Sequence, residues 1–476
     1  MRTLLLISLV FVISISNESL GQEIATPELG DPYANVLSLD EEKVIGFSAY
    51  KAMQKYNLIV NDPLVASYIK YLGNLLTRQT LDERRDYTFF ITKSSSVNAF
   101  ALPGGYVGMN IGLVNLTRNE SQLVGVMAHE IAHIKLRHSA EMLANSARTS
   151  LPAFIGLVIG IFSGNPQAAM AVMQSGLGIT AQMNINLIRA NEIEADEFGI
   201  SLLKKSGFSV TEMANFFELM QSSTSTLDPQ LAYFYTHPLY ENRIARVRSK
   251  AVQNNDSVRN FTDDYYYIKN ILEVAATKNI NSDINSIKKN DVYSLHKLAL
   301  LYQKKSQYKT AIGLVEDLYK KNPENIYTSI LYAQLLGRSK NQEKSIEILE
   351  NLVEIYPFNS SIPFYLSEAL IENNIRFDDA LDMLKNIRSS HRHNPNYFRL
   401  MSRLFVLKED VFNSKVYLSD YYLLLDDLEL AVQVLNDGIQ SKVLKSHQID
   451  SLKKKKKGII CNYQRPLEPI FGEKTC

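Results

Sequence analysis

The spacing of apolar residues predicts helices at the start of the chain and short strands after them. Helical periodicity begins after Asp40, and again after Asp62-Pro63, so that residues 40–82 are expected to form two helices. From Tyr87 to Met109, short apolar runs alternate with glycine-bearing turns, which is typical of strands. This part of the chain should therefore combine a small sheet with helices.

Longer helices are predicted beyond the strands. Thr117 and Glu120 have the spacing of a capping box, which predicts a helix from about Ser121 to His138. A second long helix is expected from about Gln174 to Lys205. Residues 151–164 are strongly apolar but too short to span a membrane, which leaves a buried helix or a membrane-facing loop.

A repeat appears in the last third of the chain, after a polar stretch near residue 255 and a predicted helix at 265–276. Pro323 and Pro357 are 34 residues apart, and so are the small residues Ala311 and Ser345. This is the period of the tetratricopeptide repeat, a helix pair that buries its apolar face only by stacking on its neighbours. Three or four units with a concave groove are expected, although the later spacings drift.

The two ends of the chain carry separate signals. The 12-residue run Leu4–Ile15, followed by small residues up to Gly21, predicts a secretory signal peptide cleaved after Gly21; an uncleaved anchor is the alternative. Cys461 and Cys476 enclose a short loop, so they either form a disulfide in an oxidising compartment or remain two thiols. The lysine run 453–457 is interpreted as a solvated helix end rather than an anion site.

Composition narrows the possible chemistry. The formal net charge of +1 gives no overall field that favours nucleic acid, so a nucleic-acid partner is not expected. The two cysteines lie in the last 16 residues, which excludes a cysteine-based zinc site in the main body. A metal site there must use carboxylates and some of the eight histidines.

The strongest chemical motif is His129-Glu130-Ile131-Ala132-His133, inside the helix predicted from Ser121. Residues four apart share a helix face, so both imidazoles can bind one Zn²⁺ while Glu130 lies beside it to handle a water. The alternative is a pair of surface histidines with a solvated glutamate. Burying these groups on an otherwise apolar helix would be costly without a metal, which favours zinc.

A catalytic zinc needs a third protein ligand. Ser139 occupies the position where a further histidine would follow in some zinc proteases, and His138 is rotated away from the His129 and His133 face. A carboxylate on another helix is therefore expected. Glu192 and Asp196 share a face, so Glu192 can reach the metal while Asp196 holds a ligand imidazole; Glu194 points elsewhere.

Taken together, the motifs resemble the M48 family of zinc metallopeptidases. They are His-Glu-Ile-Ala-His at 129–133, Glu-Ile-Glu-Ala-Asp at 192–196, Thr-His-Pro-Leu at 236–239 with Arg243, and Asn-Ala-Phe-Ala-Leu-Pro-Gly-Gly-Tyr at 98–106. The repeats and the signal peptide narrow the resemblance to the periplasmic, beta-barrel assembly-enhancing group of that family.

The resemblance implies a role for each matching residue. It implies His129, His133 and Glu192 as ligands of one Zn²⁺ and Glu130 as general base. It also implies that His237 lies near the metal, either occupying the fourth site as an inhibitory switch or assisting the reaction, with Arg243 in support; a packed loop histidine is the alternative for His237.

The expected fold is mainly α (α+β), with a zincin-like domain containing a small sheet, followed by an α-solenoid. The expected divisions are a signal peptide at 1–21, a metallopeptidase domain at 22–255, a linker with a helix at 256–290, repeats at 291–457 and a tail at 458–476.

The expected function is periplasmic hydrolysis of misassembled envelope proteins, with the repeats binding the outer-membrane protein assembly machinery or its clients, and with peripheral membrane contact. The strand Tyr106, Val107, Gly108, Met109 and Asn110 is the candidate that pairs with an extended substrate, because strand addition demands little sequence. A chaperone or scaffold with a silenced zinc site is the alternative.

Overall fold

A computed structural model describes residues 33, 36–82, 85–145, 181–223, 237–239, 241–252, 262–288 and 291–464. The predicted signal peptide, the apolar segment 151–164 and Cys476 lie outside these residues. No helix within the described ranges is long and apolar enough to cross a membrane.

Two capped helices begin the described chain. Helix α1 (Leu39–Lys55) starts at a capping box in which the Glu41 amide donates to Ser38 Oγ and the Ser38 amide donates to Glu41 Oε2. Helix α2 (Pro63–Thr77) is capped by Asp62, whose carboxylate accepts a hydrogen bond from the Leu64 amide at 2.9 Å. The two helices match the periodicity read from residues 40–82.

Three strands form one small mixed sheet, β1 (Thr88–Thr92), β2 (Ala99–Leu102) and β3 (Tyr106–Asn110), in the order β1-β3-β2. Strand β3 runs parallel to β1 and antiparallel to β2. The prediction that Tyr106–Asn110 pairs with a substrate is therefore wrong, because both sides of β3 are already hydrogen-bonded and all five of its residues are buried.

The helix that carries the histidine motif starts within one residue of the predicted position, but its cap and its end differ from prediction. After a short helix α3 (Ile111–Leu116), helix α4 spans Glu120–Lys135, and its cap is Asn119, which accepts from the Gln122 amide at 3.0 Å. The predicted capping box fails because the Thr117 hydroxyl instead donates to the Val114 carbonyl at 2.8 Å. A further helix α5 begins at His138 and runs to Asn145.

Three more helices complete the region around α4. They are α6 (Ala181–Lys205), α7 (Val210–Ser223) and α8 (Glu241–Val252). Helix α6 passes close to α4 at Gly199, where an added Cβ would lie 3.3 Å from the His129 amide nitrogen. The start of α6 predicted at Gln174 lies outside the described residues.

Helix α9 (Asp264–Ala276) agrees with the helix predicted at 265–276, and α10 spans Ile280–Ser286. Tyr265 is buried in α9, and its hydroxyl donates to the Thr117 carbonyl at 2.7 Å. This helix is thus packed against the loop that precedes α4. The division of the chain into domains remains a prediction.

The rest of the chain consists of consecutive helix pairs. They are α11 (Val292–Lys304) and α12 (Tyr308–Lys321), α13 (Ile326–Arg338) and α14 (Gln342–Ile355), α15 (Ser361–Glu372) and α16 (Phe377–Asn386), α17 (Pro395–Leu407) and α18 (Val411–Leu424), and α19 (Leu428–Ile439) and α20 (Ser446–Gln464).

Between residues 291 and 464, all of them described, there are five pairs rather than the three or four expected. The pairs start at residues 292, 326, 361, 395 and 428, so each begins 33 to 35 residues after the previous one. The helices keep the period, whereas the proline landmarks in the sequence drift from it. The prediction of a mainly α fold with a small sheet is confirmed.

The helix pairs contact the N-terminal helices directly. Ser361 Oγ donates to the Pro63 carbonyl at 2.9 Å, and the Tyr365 hydroxyl donates to Asp62 Oδ2 at 3.2 Å. Lys51 Nζ lies 3.0 Å from Asp426 Oδ1. The repeats therefore share polar contacts with α1 and with the start of α2.

Candidate metal centre

Four side chains predicted from separate parts of the sequence converge on one point. His129, His133, Glu192 and His237 each offer a ligand atom, and these atoms lie within 4.8 Å of one another. His129 and His133 are one turn apart on α4, and Glu192 faces them from α6. The i, i+4 spacing on α4 and the close approach of α6 at Gly199 create this arrangement.

The distances suit one small tetrahedral ion. His133 Nε2 lies 3.0 Å from His129 Nε2, and the Glu192 oxygens lie 3.3 Å from His129 Nε2 and 3.4 Å from His133 Nε2. Ligand atoms about 2.1 Å from a tetrahedral zinc are separated from one another by about 3.4 Å. Two imidazoles and one carboxylate are also a donor set that zinc accepts in catalytic sites. The residues present therefore fit zinc.

Asp196 and Arg243 lie immediately behind these groups. Asp196 Oδ1 is 3.0 Å from His129 Nδ1, so it holds the imidazole with Nε2 towards the centre. Arg243 from α8 donates hydrogen bonds from Nε and Nη2 to the two carboxylate oxygens of Asp196, at 2.8 and 2.9 Å. Its Nη1 lies 2.6 Å from Glu192 Oε2. The guanidinium also lies over the Phe217 ring, 4.9 Å from its centroid.

These contacts shift the protonation equilibria. Burial lowers the pKa of His129, but the Glu192 and Asp196 carboxylates outweigh it and raise that pKa to about 9. Burial raises the pKa of Glu192, but His237 and His129 hold it well below the ordinary value. Arg243, with His129, likewise lowers the pKa of Asp196 against the effect of burial. Both carboxylates are thereby kept ionised, as a cation site requires.

Glu130 is a buried carboxylate of a different kind. Its exposure is 0 %, and neither oxygen accepts a hydrogen bond from the described residues. The nearest recorded basic atom is His237 Nε2, 3.3 Å from Glu130 Oε1. Burying a carboxylate without a hydrogen bond is costly, so a group held here only for packing would not be expected to be glutamate.

His237 bridges the cluster and Glu130. Its Nδ1 lies 3.0 Å from Glu192 Oε1 and 3.2 Å from His129 Nε2, while its Nε2 faces Glu130. The structure thus brings together His129, His133, Glu192, Asp196, Arg243, Glu130 and His237. Cys461 lies in α20, away from this cluster, and its pairing with Cys476 remains a prediction.

His138, which is not predicted from the sequence to be a ligand, lies next to the cluster. His138 is not part of the four-residue group, in line with the expectation that it is not a ligand, yet its Nδ1 lies 2.8 Å from His133 Nδ1. Burial and the neighbouring His133 lower the pKa of His138 to about 3. Glu194, expected to point elsewhere, has its carboxylate 3.6 Å from His138 Nε2.

The part of the chain that contains these residues is similar in sequence to known proteins. Residues 67–251 match the family model described as Peptidase family M48. The beta-barrel assembly-enhancing protease of Escherichia coli K12 is 34 % identical over 51 % of this chain, and the chain spans about half of that relative's length, 50 %. The Yersinia pestis protein of the same name is 27 % identical over 79 % of each chain.

A third relative is shorter. Metalloprotease YcaL of Escherichia coli K12 is 31 % identical over 39 % of this chain and 68 % of its own length. The matched residues 67–251 contain α4 with its two histidines, Glu192, Asp196, His237 and Arg243. The chain belongs to peptidase family M48, a family of metallopeptidases.

Proposed function

We propose that this chain is a zinc-dependent endopeptidase that hydrolyses peptide bonds in misfolded or misassembled envelope proteins. The observation that carries the proposal is the pairing of a three-ligand cluster, His129, His133 and Glu192, with the buried Glu130, whose oxygens accept no hydrogen bond from the described residues. His237 offers a fourth ligand atom, so the number of ligands does not by itself separate a catalytic from a structural site. A structural zinc site would, however, not need a buried carboxylate such as Glu130 beside its ligands.

The chain's own residues supply most of the chemistry. When bound, zinc supplies Lewis acidity, which polarises a peptide carbonyl and acidifies water. Glu130 accepts the proton of the attacking water and returns it to the leaving amine. Asp196 keeps His129 in the tautomer whose Nε2 faces the centre, and Arg243 keeps Asp196 ionised while its Nη1 lies against Glu192.

Strand β2 replaces β3 as the proposed substrate strand. It lies at the edge of the sheet, and no strand of the described chain pairs with its second side. It also packs against α4. An extended substrate added to this edge would satisfy its own backbone groups there, which predicts broad sequence preference and selection of unfolded segments.

Glu130→Gln tests the proposal. Loss of the general base is expected to reduce cleavage of an unfolded polypeptide by about 10² to 10⁴-fold while zinc remains bound, measured by gel assay and by metal content. Glu197→Gln is the matched control, since Glu197 lies on α6 in an exposed ion pair with Arg246. Undiminished cleavage by Glu130→Gln would exclude the mechanism.

The proposed setting is the periplasm, and the proposed clients are outer-membrane proteins or their assembly machinery. The support is the name shared by the relatives from Escherichia coli and Yersinia pestis. A groove of about 460 Å³, lined by the first helices of successive pairs and by one face of α14, would receive them, with Gln334, Arg338, Glu368 and Arg403 in its lining. The repeats are proposed to be tetratricopeptide units.

A photo-crosslinking residue can test this groove. Placed at Gln334, it is expected to capture a purified unfolded outer-membrane protein. The same residue at Glu347, an exposed position of α14 that does not line the groove, should capture much less. Equal capture at the two positions would remove the groove from the proposal.

A chaperone or scaffold with a silenced zinc site is the second candidate, and the position of His237 favours it. The ring lies between the ligands and Glu130, where it can occupy the fourth metal position. His237→Ala should raise cleavage if the residue blocks the site and lower it if the residue assists the reaction. Unchanged cleavage would place His237 outside the reaction.

A further inference from the structure

A backbone reversal after α4 brings His138 back to the metal centre. In an unbroken helix, residue 138 would lie about 140° around the axis from residue 133, since each residue turns about 100°. Helix α4 ends at Lys135, however, and Arg137 has a φ of 59° before α5 begins. The left-handed Arg137 therefore redirects the chain so that the His138 and His133 rings lie 4.9 Å apart.

Arg137 is held in this conformation by residues that lie 95 and 100 positions earlier in the sequence. Arg137 Nε donates to Glu42 Oε1 at 2.9 Å, and its guanidinium also donates to the Leu37 carbonyl. An arginine at positive φ is uncommon and persists where the surroundings determine it. The position of His138 is thus fixed by α1 as well as by its own helices.

The direction of the hydrogen bond between the His133 and His138 rings decides which nitrogen of His133 is free to bind a metal. His133 presents Nε2 to the cluster, so a metal bound there requires its proton on Nδ1. The atom 2.8 Å from that Nδ1 is His138 Nδ1, which must then act as acceptor. The opposite direction would place the His133 proton on Nε2, the nitrogen that the metal needs.

Glu194 favours the required direction. If His138 Nδ1 accepts, the His138 proton lies on Nε2, and Glu194 Oε2 is the carboxylate that faces this atom at 3.6 Å. Its side chain is 63 % exposed, so the attraction is weak and acts on the tautomer rather than on folding. The sequence of contacts is Glu194, His138, His133 and then the metal position.

We propose that His138 is a positioning residue that fixes His133 in its metal-binding tautomer by accepting the Nδ1 proton. The inference rests on the proposed function, because it assumes that the cluster holds zinc. His129 receives the same support from Asp196, so the two histidine ligands are oriented by different partners, one a carboxylate and one a neutral imidazole.

The test compares zinc affinity, measured by competition with a chromophoric chelator, among variants at this position. His138→Leu and His138→Gln both remove an acceptor from the Nδ1 position, and each is expected to weaken zinc binding by about 10 to 100-fold. His138→Asn places an amide oxygen near that position and is expected to bind zinc within a few-fold of the wild type.

Unfolding of the zinc-free proteins by urea provides the control for a purely structural role. His391→Leu is the matched variant, because His391 is another buried histidine whose ring nitrogen meets an oxygen, the Ser360 carbonyl at 3.1 Å, but lies in the repeats. It should leave zinc affinity unchanged even if it lowers stability.

The outcomes are distinct. Wild-type affinity in His138→Leu and His138→Gln, or equal loss in His138→Asn, would overturn the inference. If the wild-type protein binds no zinc, or if Glu130→Gln still cleaves, the proposed function fails instead.

Discussion

Arg243 offers the sharpest test of how the candidate site is held together. Its side chain is buried, bonds both oxygens of Asp196 and lies 2.6 Å from Glu192 Oε2. Arg243→Met removes the charge and the hydrogen bonds but keeps an apolar stem against the Phe217 ring. The change leaves the buried carboxylates of Asp196 and Glu192 with His129 as the basic group that still contacts both of them.

The expected cost follows from this burial. Removing one partner of a buried ion pair destabilises a protein by about 3 to 5 kcal/mol, because the remaining charge is neither solvated nor paired. Both carboxylates lose Arg243, but His129 still contacts each of them, so the lower part of that range is expected. Arg246→Met is the matched control: it lies three residues on in α8, and its pair with Glu197 is about 40 % exposed on each side. Exposed pairs contribute about 0 to 1 kcal/mol.

The assay is urea unfolding of the zinc-free proteins, which separates folding from metal binding. Far-ultraviolet circular dichroism, which reports helix content, and tyrosine fluorescence should each give a free energy of unfolding for every variant. Arg243→Met is expected to lose about 2 to 3 kcal/mol more than Arg246→Met. If the two variants lose the same amount, Arg243 does not hold the carboxylates as argued.

Three further predictions concern pH, packing and the metal. Burial lowers the pKa of His296 to about 3. The neutral ring therefore contributes its full stability above the pKa of an unfolded histidine, about 6.5, and this contribution declines as pH falls below that value. Between pH 7 and 5, the free energy of unfolding in urea should fall by about 2 kcal/mol more for the wild type than for His296→Leu. Gly108→Ala should cost about 1 to 3 kcal/mol, because its Cβ would lie 2.2 Å from Phe100 Cζ. A Cβ at Gly313 would meet no atom of the described residues within 4 Å beyond its own helix backbone, so Gly313→Ala should be neutral or stabilising by up to about 1 kcal/mol in the same assay. Chelation should abolish cleavage of an unfolded polypeptide and added zinc should restore it; cleavage that persists without metal would contradict the proposal.

The parts of the site that the sequence predicts are those with local spacing. His129 and His133, and then Glu192 and Asp196, share helix faces because residues four apart always do. The sequence alone does not show that α6 meets α4 at this level. That contact depends on Gly199, where a side chain would press on the His129 backbone. The motif resemblance filled this gap for Glu192.

The errors came from long-range contacts. Strand β3 has the apolar pattern of any strand, and its central place is decided by pairing with β1 and β2, which the pattern does not encode. Thr117 and Asn119 are both acceptable caps, and Tyr265, nearly 150 residues away, is one of the groups that hold Thr117 outside the helix. Arg137 adopts its left-handed conformation while bonded to Glu42 and to the Leu37 carbonyl, which are distant in sequence. The contact between His138 and His133 could therefore not be predicted from the residues next to them in the chain.

The polar contacts at the start of α4 bear on how the repeats can be tested. Glu120 accepts hydrogen bonds from Tyr68 of α2 and from Thr262, both at 2.8 Å. Helix α9 continues this network into the repeats, where the Tyr267 ring stacks on Tyr327 at 5.0 Å.

Deleting the repeats would therefore expose Tyr267 and remove the packing partner of α9, the helix whose Tyr265 holds the loop before α4. A loss of cleavage in such a truncated chain would not separate a disturbed α9 and α4 from a lost partner. Substitutions within the groove, which leave Tyr68, Thr262 and Tyr327 in place, separate partner binding from the integrity of the metal centre.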